Sequence, residues 1–283
     1  MKSAKNSILI TVYDRENTFK KCLINLSNAS NIDDYNLIIV IQKSKLNLMK
    51  IINKFDFKQK WIINTNYPKN WNPNKKMAFN GFKGCKFAFE KLKSNFLCYL
   101  EDDIIISKDF LQFHEFVQNE YKYDQNFFGI NGFSKNNYDK LKIKYYSKFV
   151  YGLGKGYSFN SKVWKIIKKK IWTKKFLNQK IPYLDAPVEK FVKDNNYFVV
   201  MPIISRIYEY PSQGTNIPLS NKKYFRELKK SFYIKKNNKN LDYIYKPFEY
   251  YNWRKDCRKY YGKFINYFYI SLKKIFRKIL KLF

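Results

Sequence analysis

Three consecutive carboxylates, Glu101, Asp102 and Asp103, directly follow the apolar run FLCYL at residues 96–100. The chain has only 22 Asp+Glu against 56 Lys+Arg, so a cluster of acids stands out. Like charges packed together are unfavourable unless a cation or hydrogen-bond donors neutralise them. A hard divalent ion with open positions for phosphate oxygens does this. The end of an apolar parallel strand is also where open α/β sheets place their ligands. Such a turn suits cleavage of a nucleoside diphosphate sugar. A metal held by one carboxylate stabilises the departing diphosphate, and a second group takes the proton of the attacking hydroxyl. The pair Asp33-Asp34 precedes a strand instead and reads as ordinary loop.

Asp185 is the candidate for that second group. It sits in the segment YLDAP, where partial burial would raise its pKa toward a useful base. The same position also reads as a cap for a helix beginning near Ala186. Sequence alone leaves both readings open.

The elements that must carry these residues alternate. Residues 7–13 (SILITVY) form a continuous apolar run, and residues 18–26 place Phe19, Cys22, Leu23 and Leu26 at helical spacing. A strand at 37–41, a helix at 46–55, a strand at 61–64, a helix at 77–92 and the strand at 96–100 repeat the pattern. Ser107 then predicts an N-cap for a helix starting near Lys108. Further on, a strand is expected at 127–133, a glycine turn at 151–156 (YGLGKG), a basic helix at 161–170, a helix within 182–195 and a strand at 197–201. Strands alternating with helices argue for an open, mostly parallel twisted sheet flanked by helices. Residues 211–221 (PSQGTNIPLSN) read as a polar loop rich in turn formers.

Composition excludes several classes. One histidine, His114, and the scattered Cys22, Cys85, Cys98 and Cys257 leave no zinc-ligand spacing. A histidine-based triad would rest on His114 alone, and no GxSxG accompanies it. The thiols read as buried or free in a reducing compartment. The N-terminal run is ended by Asp14, Arg15 and Glu16, so it reads as a first strand and not as a signal peptide. No uncharged stretch approaches the roughly 20 residues that span a bilayer.

The formal net charge is +34. Much of it reads as lysine-rich composition, alongside abundant Asn, Ile, Phe and Tyr. Residues 220–283 are different, with 19 Lys+Arg and 4 Asp+Glu. On a helical wheel the apolar residues of 272–283 (LKKIFRKILKLF) fall within an arc of roughly 160°. The five basic residues fill the other side. This pattern fits a helix lying on an anionic membrane surface, or one docking on the domain itself. The expected organisation is therefore a catalytic domain at 1–221 and a basic aromatic region at 222–283, with a membrane-surface helix at 264–283. A competing class is nucleic-acid binding through basic aromatic segments such as YYNWRKDCRKYYGK. No RRM, KH or zinc-finger signature supports it, so no nucleic-acid partner is expected.

Four segments, in order, resemble GT-A fold glycosyltransferases, and among them glycosyltransferase family 13, the N-acetylglucosaminyltransferase I type. They are SILITVYDRENTFKKCLINL, FLCYLEDDIIISKDFLQF, YGLGKGYSFNSKVW, and YLDAPVEKFV with MPIISRIYEYPSQG. The likeness runs from about Ser7 to Asn216. It implies a GT-A type sheet and an inverting transfer from a nucleotide sugar, a UDP-sugar, with Mn2+ or Mg2+. It implies Asp103 as metal ligand, and Glu101 and Asp102 on the sugar and ribose side of the donor. Arg15 would hold the nucleotide, and Asp185 would be the base. Ser205 and Arg206 would be structural neighbours of the site, and the loop with Gly214 and Asn216 would close over the donor. Two positions depart: Lys43 follows Gln42, where the family carries an Asp that contacts the base, and Pro187 follows closely after Asp185, where the family has a bulkier helical segment. The expected acceptor is a glycan or lipid-linked precursor of surface polysaccharide. The expected place is the cytoplasmic face of a membrane, held peripherally. A catalytically inactive GT-A binding module is the remaining alternative.

Overall fold

The computed structural model describes residues 4–13, 15–42, 46–134, 136, 140–180, 182, 184–210 and 242–247. Apart from Pro247 these belong to one compact unit, Met1–Lys246. The loop at 211–221 with Gly214 and Asn216, and the expected membrane helix at 264–283, lie outside the described residues.

The first half follows the alternation of the sequence. β1 (Asn6–Thr11), α1 (Glu16–Ser27), β2 (Tyr35–Gln42), α2 (Leu46–Ile52), β3 (Lys60–Thr65), α3 (Pro73–Lys86) and β4 (Phe96–Glu101) succeed one another. α3 starts four residues before the expected Met77. The Asn72 side chain accepts from the Asn74 amide at 2.9 Å, and Pro73 fits the first helical position. A π-helical turn, Phe87–Lys91, prolongs it.

β5 (Ile104–Ile106) and α4 (Phe110–Glu120) follow the acidic turn. The Ser107 hydroxyl donates to Asp109 Oδ1 at 2.7 Å instead of capping, so the helix begins later than expected. The second half comprises β6 (Phe127–Asn131), β7 (Tyr145–Phe149), β8 (Tyr157–Asn160), α5 (Ser161–Ile166), α6 (Lys174–Leu177), α7 (Asp185–Asp194), β9 (Phe198–Pro202), β10 (Ile207–Glu209) and β11 (Ile244–Tyr245). A π-helical turn, Ile167–Ile171, extends α5.

Nine strands form one sheet in the order β11-β7-β9-β6-β8-β4-β1-β2-β3, and β5 and β10 pair antiparallel beside it. Most pairings are parallel, including β1 with both β2 and β4. β8 runs antiparallel between β4 and β6, and β7 antiparallel to β9. β11 comes from beyond residue 221, so the compact unit takes in chain past the expected boundary at 221/222.

Helices cover both faces of the sheet. Successive strand residues point to opposite faces, so Ile8 and Ile10 pack with α1, α2 and the start of α4, while Leu9 faces the other way. There α3 approaches Leu9 closely, and Phe82 and Phe89 meet Trp164 of α5. α6 and α7 join this second layer, α6 against α3 and α7 against the π turn of α5. The central strands β1, β4 and β6 are buried on both faces, as a helix-covered parallel sheet requires, while β3 and β11 at the edges are not.

Candidate functional site

β1 sends its chain to β2 on one side, while β4 lies on the other. The crevice between the carboxyl ends of β1 and β4 is therefore a topological switch point, where open α/β sheets bind ligands. Glu101 ends β4 in register with Thr11 of β1. Asp102 and Asp103 make the turn to β5, and both are buried.

Arg15, from the segment after β1, spans this turn. Its Nη1 donates to Asp103 Oδ2 at 2.5 Å and its Nη2 to Asp102 Oδ1. The Tyr13 amide donates to Asp102 Oδ2 at 3.1 Å. β10 closes the far side, where the Tyr210 amide donates to the Asp103 carbonyl at 2.8 Å. Glu209 of β10 pairs with Lys155 of the glycine turn.

Burial pushes the Asp102 carboxyl up to about 6, with Asp103 adding repulsion and Arg15 working against both. Glu101 is pushed up to about 7 by burial first and then by Asp103, with Lys155 opposing. Asp103 is also raised, by burial, against the pull of Arg15. Burial disfavours the Arg15 charge, but Asp102 and Asp103 outweigh it and hold the guanidinium protonated. Among the described residues, Glu101, Asp102, Asp103 and Glu209 thus gather with Arg15 and Lys155 around one turn.

This bears on a metal. Among the described residues no group of three or more His, Cys, Asp or Glu side chains is placed to hold an ion by itself. Hard carboxylate oxygens fit an ion that takes one or two protein ligands and the rest from substrate phosphates. Asp103, with Asp102 beside it, is the group that would hold it.

The glycine turn is fixed from below by Asn131 at the end of β6. Its Nδ2 donates to the Gly152 carbonyl at 2.9 Å, and its Oδ1 accepts from the Gly154 amide at 2.6 Å. Gly152 lies against α7, where an added Cβ would come within 2.8 Å of the Glu189 Cα. Lys155 is thereby aimed at the acidic turn. Sequence reasoning missed Lys155, Glu209 and Asn131. The lysine inside GLGKG was the available signal, a charged residue where glycines force close backbone approach.

Asp185 opens α7 and is exposed, so the partial burial expected of it is not found. Its Oδ1 accepts from the adjacent Ala186 amide at 2.9 Å, and Leu184, not Asp185, is the N-cap. Tyr157 is raised by burial and by neighbouring charges that include both Glu101 and Asp185.

Arg206 is fully buried. Its Nε donates to Asp109 Oδ2 at 2.9 Å, and its other nitrogens reach the carbonyls of Ile204 and Ile143. The Arg206 carbonyl accepts from the Ser107 amide at 2.8 Å, which ties β10 to β5. Tyr243, just before β11, donates to the same Asp109 oxygen at 3.3 Å and packs on Phe113 and Phe116. His114 is buried, with Nδ1 2.7 Å from the Ser158 hydroxyl, so it is a core residue remote from the acidic turn.

No protein-family model and no curated protein matches this chain. Solved structures match it at low identity and with TM-scores under 0.5. Staphylococcus aureus TarS 1–349 in complex with UDP-GlcNAc matches at a TM-score of 0.46 and 12% identity, over 79% of this chain and 64% of that one. The mannosyltransferase PcManGT from Pyrobaculum calidifontis, in complex with GDP-Man and Mn2+, matches at 0.49 and 7%, over 75% and 58%. The 4-diphosphocytidyl-2C-methyl-D-erythritol synthase from Anaerococcus prevotii matches at 0.45 and 15%, over 80% and 95%. The chain spans 60% of the length of TarS 1–349 in a further crystal structure of that protein. At these TM-scores the likeness assigns no activity.

Proposed function

We propose that this chain is a metal-dependent, inverting glycosyltransferase of GT-A type. It moves a sugar, with N-acetylglucosamine the candidate, from a nucleoside diphosphate donor to a glycan or lipid-linked acceptor of surface polysaccharide. The observation that carries the reading is Arg15 bridging Asp102 and Asp103 at the switch point between β1 and β4. A UDP-sugar is the expected donor. The loop with Gly214 and Asn216 is assigned to closing over it, and the basic tail to holding the enzyme at the inner face of a membrane.

Arg15 and Lys155 supply the positive charge that a diphosphate meets. A divalent ion, Mn2+ or Mg2+, would add charge to the departing diphosphate when bound. Glu101 and Asp102 face the sugar and ribose side of the donor. Asp185, open to solvent, takes the proton of the acceptor hydroxyl as that oxygen bonds the anomeric carbon and the bond to the diphosphate breaks. A single displacement from the opposite face inverts the carbon.

Asp185→Asn is expected to abolish transfer, by at least about 100-fold as for loss of a general base, while donor affinity stays unchanged. Radiolabelled-sugar transfer and donor titration on the same preparation check this. Parallel loss of donor binding would make Asp185 a structural residue and sink its assignment.

A further inference from the structure

The two helical layers carry unlike charge. Segments 16–34, 46–58 and 108–124, which hold α1, α2 and α4, contain seven lysines and eight carboxylates. Segments 73–93 and 161–194, which hold α3, α5, α6 and α7, contain sixteen lysines and four carboxylates. Three of those four lie in α7, where Glu189 and Asp194 pair with that helix's own lysines. Residues 161–180 alone carry eight lysines, all exposed, and no carboxylate. The remaining acid, Glu90, is taken by Lys168 and by the Trp164 indole. Lysine-rich composition would load both layers alike, so the one-sidedness needs another cause.

We infer that the exposed face of α3, α5 and α6 is a docking surface for an anionic lipid bilayer. Among the described residues, Glu90 is the carboxylate that pairs with this face, through Lys168. The face is broad: α3 and its π turn cover 14 and 5 residues, about 28 Å at 1.5 Å each. α5 runs alongside, joined through Trp164 to Phe82 and Phe89. Its positive groups are all lysines, point charges suited to a diffuse anionic surface and lacking the fork that reads single phosphates. Trp164, Trp172 and Phe89 are turned inward, while Tyr67, Trp71 and Phe79 form a half-buried cluster beneath Lys75 and Lys83 at its edge, a compact group rather than a row along the face. The exposed ring at its edge is Trp61, packed on Phe87 with its indole N–H donated to Asn36, a placement common at the membrane interface.

The basic face also adjoins the site. The π turn after α5 leads to Trp172, whose indole donates to the Leu184 carbonyl at 3.2 Å, next to Asp185. A docked molecule would present Asp185 near the lipid surface, as a lipid-linked acceptor requires. That bearing on the acceptor rests on the proposed glycosyl transfer; the docking itself does not.

The test uses the full chain and phosphatidylcholine vesicles with and without phosphatidylglycerol. A variant reversing Lys165, Lys169, Lys174 and Lys175 to Glu is compared with one reversing Lys20, Lys50, Lys54 and Lys58. Both change net charge equally. Each lysine near an anionic surface is worth about fivefold in partition. The first variant is expected to lose at least about tenfold in binding to anionic vesicles, and the second less than about threefold. If the first fails to fold by thermal melt, its Lys→Gln counterpart replaces it, with a loss of at least about fivefold expected, the share of a single lysine. Equal losses in the two variants overturn the inference, because net charge and not a face would then drive binding. Wild-type binding by the first variant overturns it as well. So does a variant that keeps vesicle binding but loses a single-stranded RNA in a gel shift, which would make the face a nucleic-acid surface. None of these outcomes depends on donor binding, so failure here and failure of the proposed activity are separable.

Discussion

The layer of α1, α2 and α4 and the layer of α3, α5, α6 and α7 cover the same sheet but use charge in opposite ways. The first is nearly balanced, and beside it charged and polar groups are buried in specific pairs: Arg206 with Asp109, His114 with Ser158. The second is strongly basic and keeps its lysines exposed. Charges turned inward fix geometry, because a buried ion must find its partner. Charges turned outward contribute little to folding and instead select what approaches. The acidic turn lies at the strand ends, buried enough to raise its carboxyls.

The largest break in this contrast comes from Arg206→Met. It strands Asp109 without its ion pair and is expected to lower stability by about 3–5 kcal/mol, read from urea unfolding. It also loosens Tyr243, which shares the Asp109 oxygen. A loss below about 1 kcal/mol would mean that the pair does not lock β10 to β5.

His114 gives a smaller, pH-dependent effect. Its pKa is lowered to about 3, by burial first and then by Arg206, while the unfolded chain binds the proton near 6.5. Its neutral form therefore supports the fold fully above 6.5, and that support drains away as pH falls toward 3. The slope is about 1.4 kcal/mol per pH unit. Denaturant titrations at several pH values on wild type and His114→Gln should show a shallower acid limb in the variant. Identical limbs would remove His114 as the cause.

The smallest effect belongs to the basic layer. Lys169→Ala is expected to move stability by less than about 0.5 kcal/mol. A larger change in thermal melting would show that this lysine is part of the fold and not only of a surface.

The first half of the sheet was legible because its strands are long apolar runs and its helices repeat at helical spacing. The acidic turn was legible for a different reason, as carboxylates are rare enough in this chain for three together to stand out. β8 was not legible. It has four residues, is buried on both faces and so lacks alternation, and it runs antiparallel where the neighbouring pattern predicts parallel. The late start of α4 also escaped, because Ser107 spends its hydroxyl on Asp109 and not on a cap. Lys155 and Glu209 could not be found by spacing, since one lies in a glycine turn and the other on a strand 54 residues away. Only the pairing of β5 with β10 brings them to one place. The burial expected of Asp185 failed because α7 begins at the surface, with Val188 and Val192 as its buried residues.

The central claim is that the turn Glu101-Asp102-Asp103 with Arg15 binds a nucleoside diphosphate sugar. Thermal melting of wild type and Asp103→Ala against a panel of nucleotide sugars, with and without Mn2+, tests it most directly. At least one donor should raise the wild-type melting temperature in the presence of Mn2+ and leave Asp103→Ala unmoved. The account is contradicted if no donor shifts the wild type, or if Asp103→Ala is stabilised as strongly as the wild type.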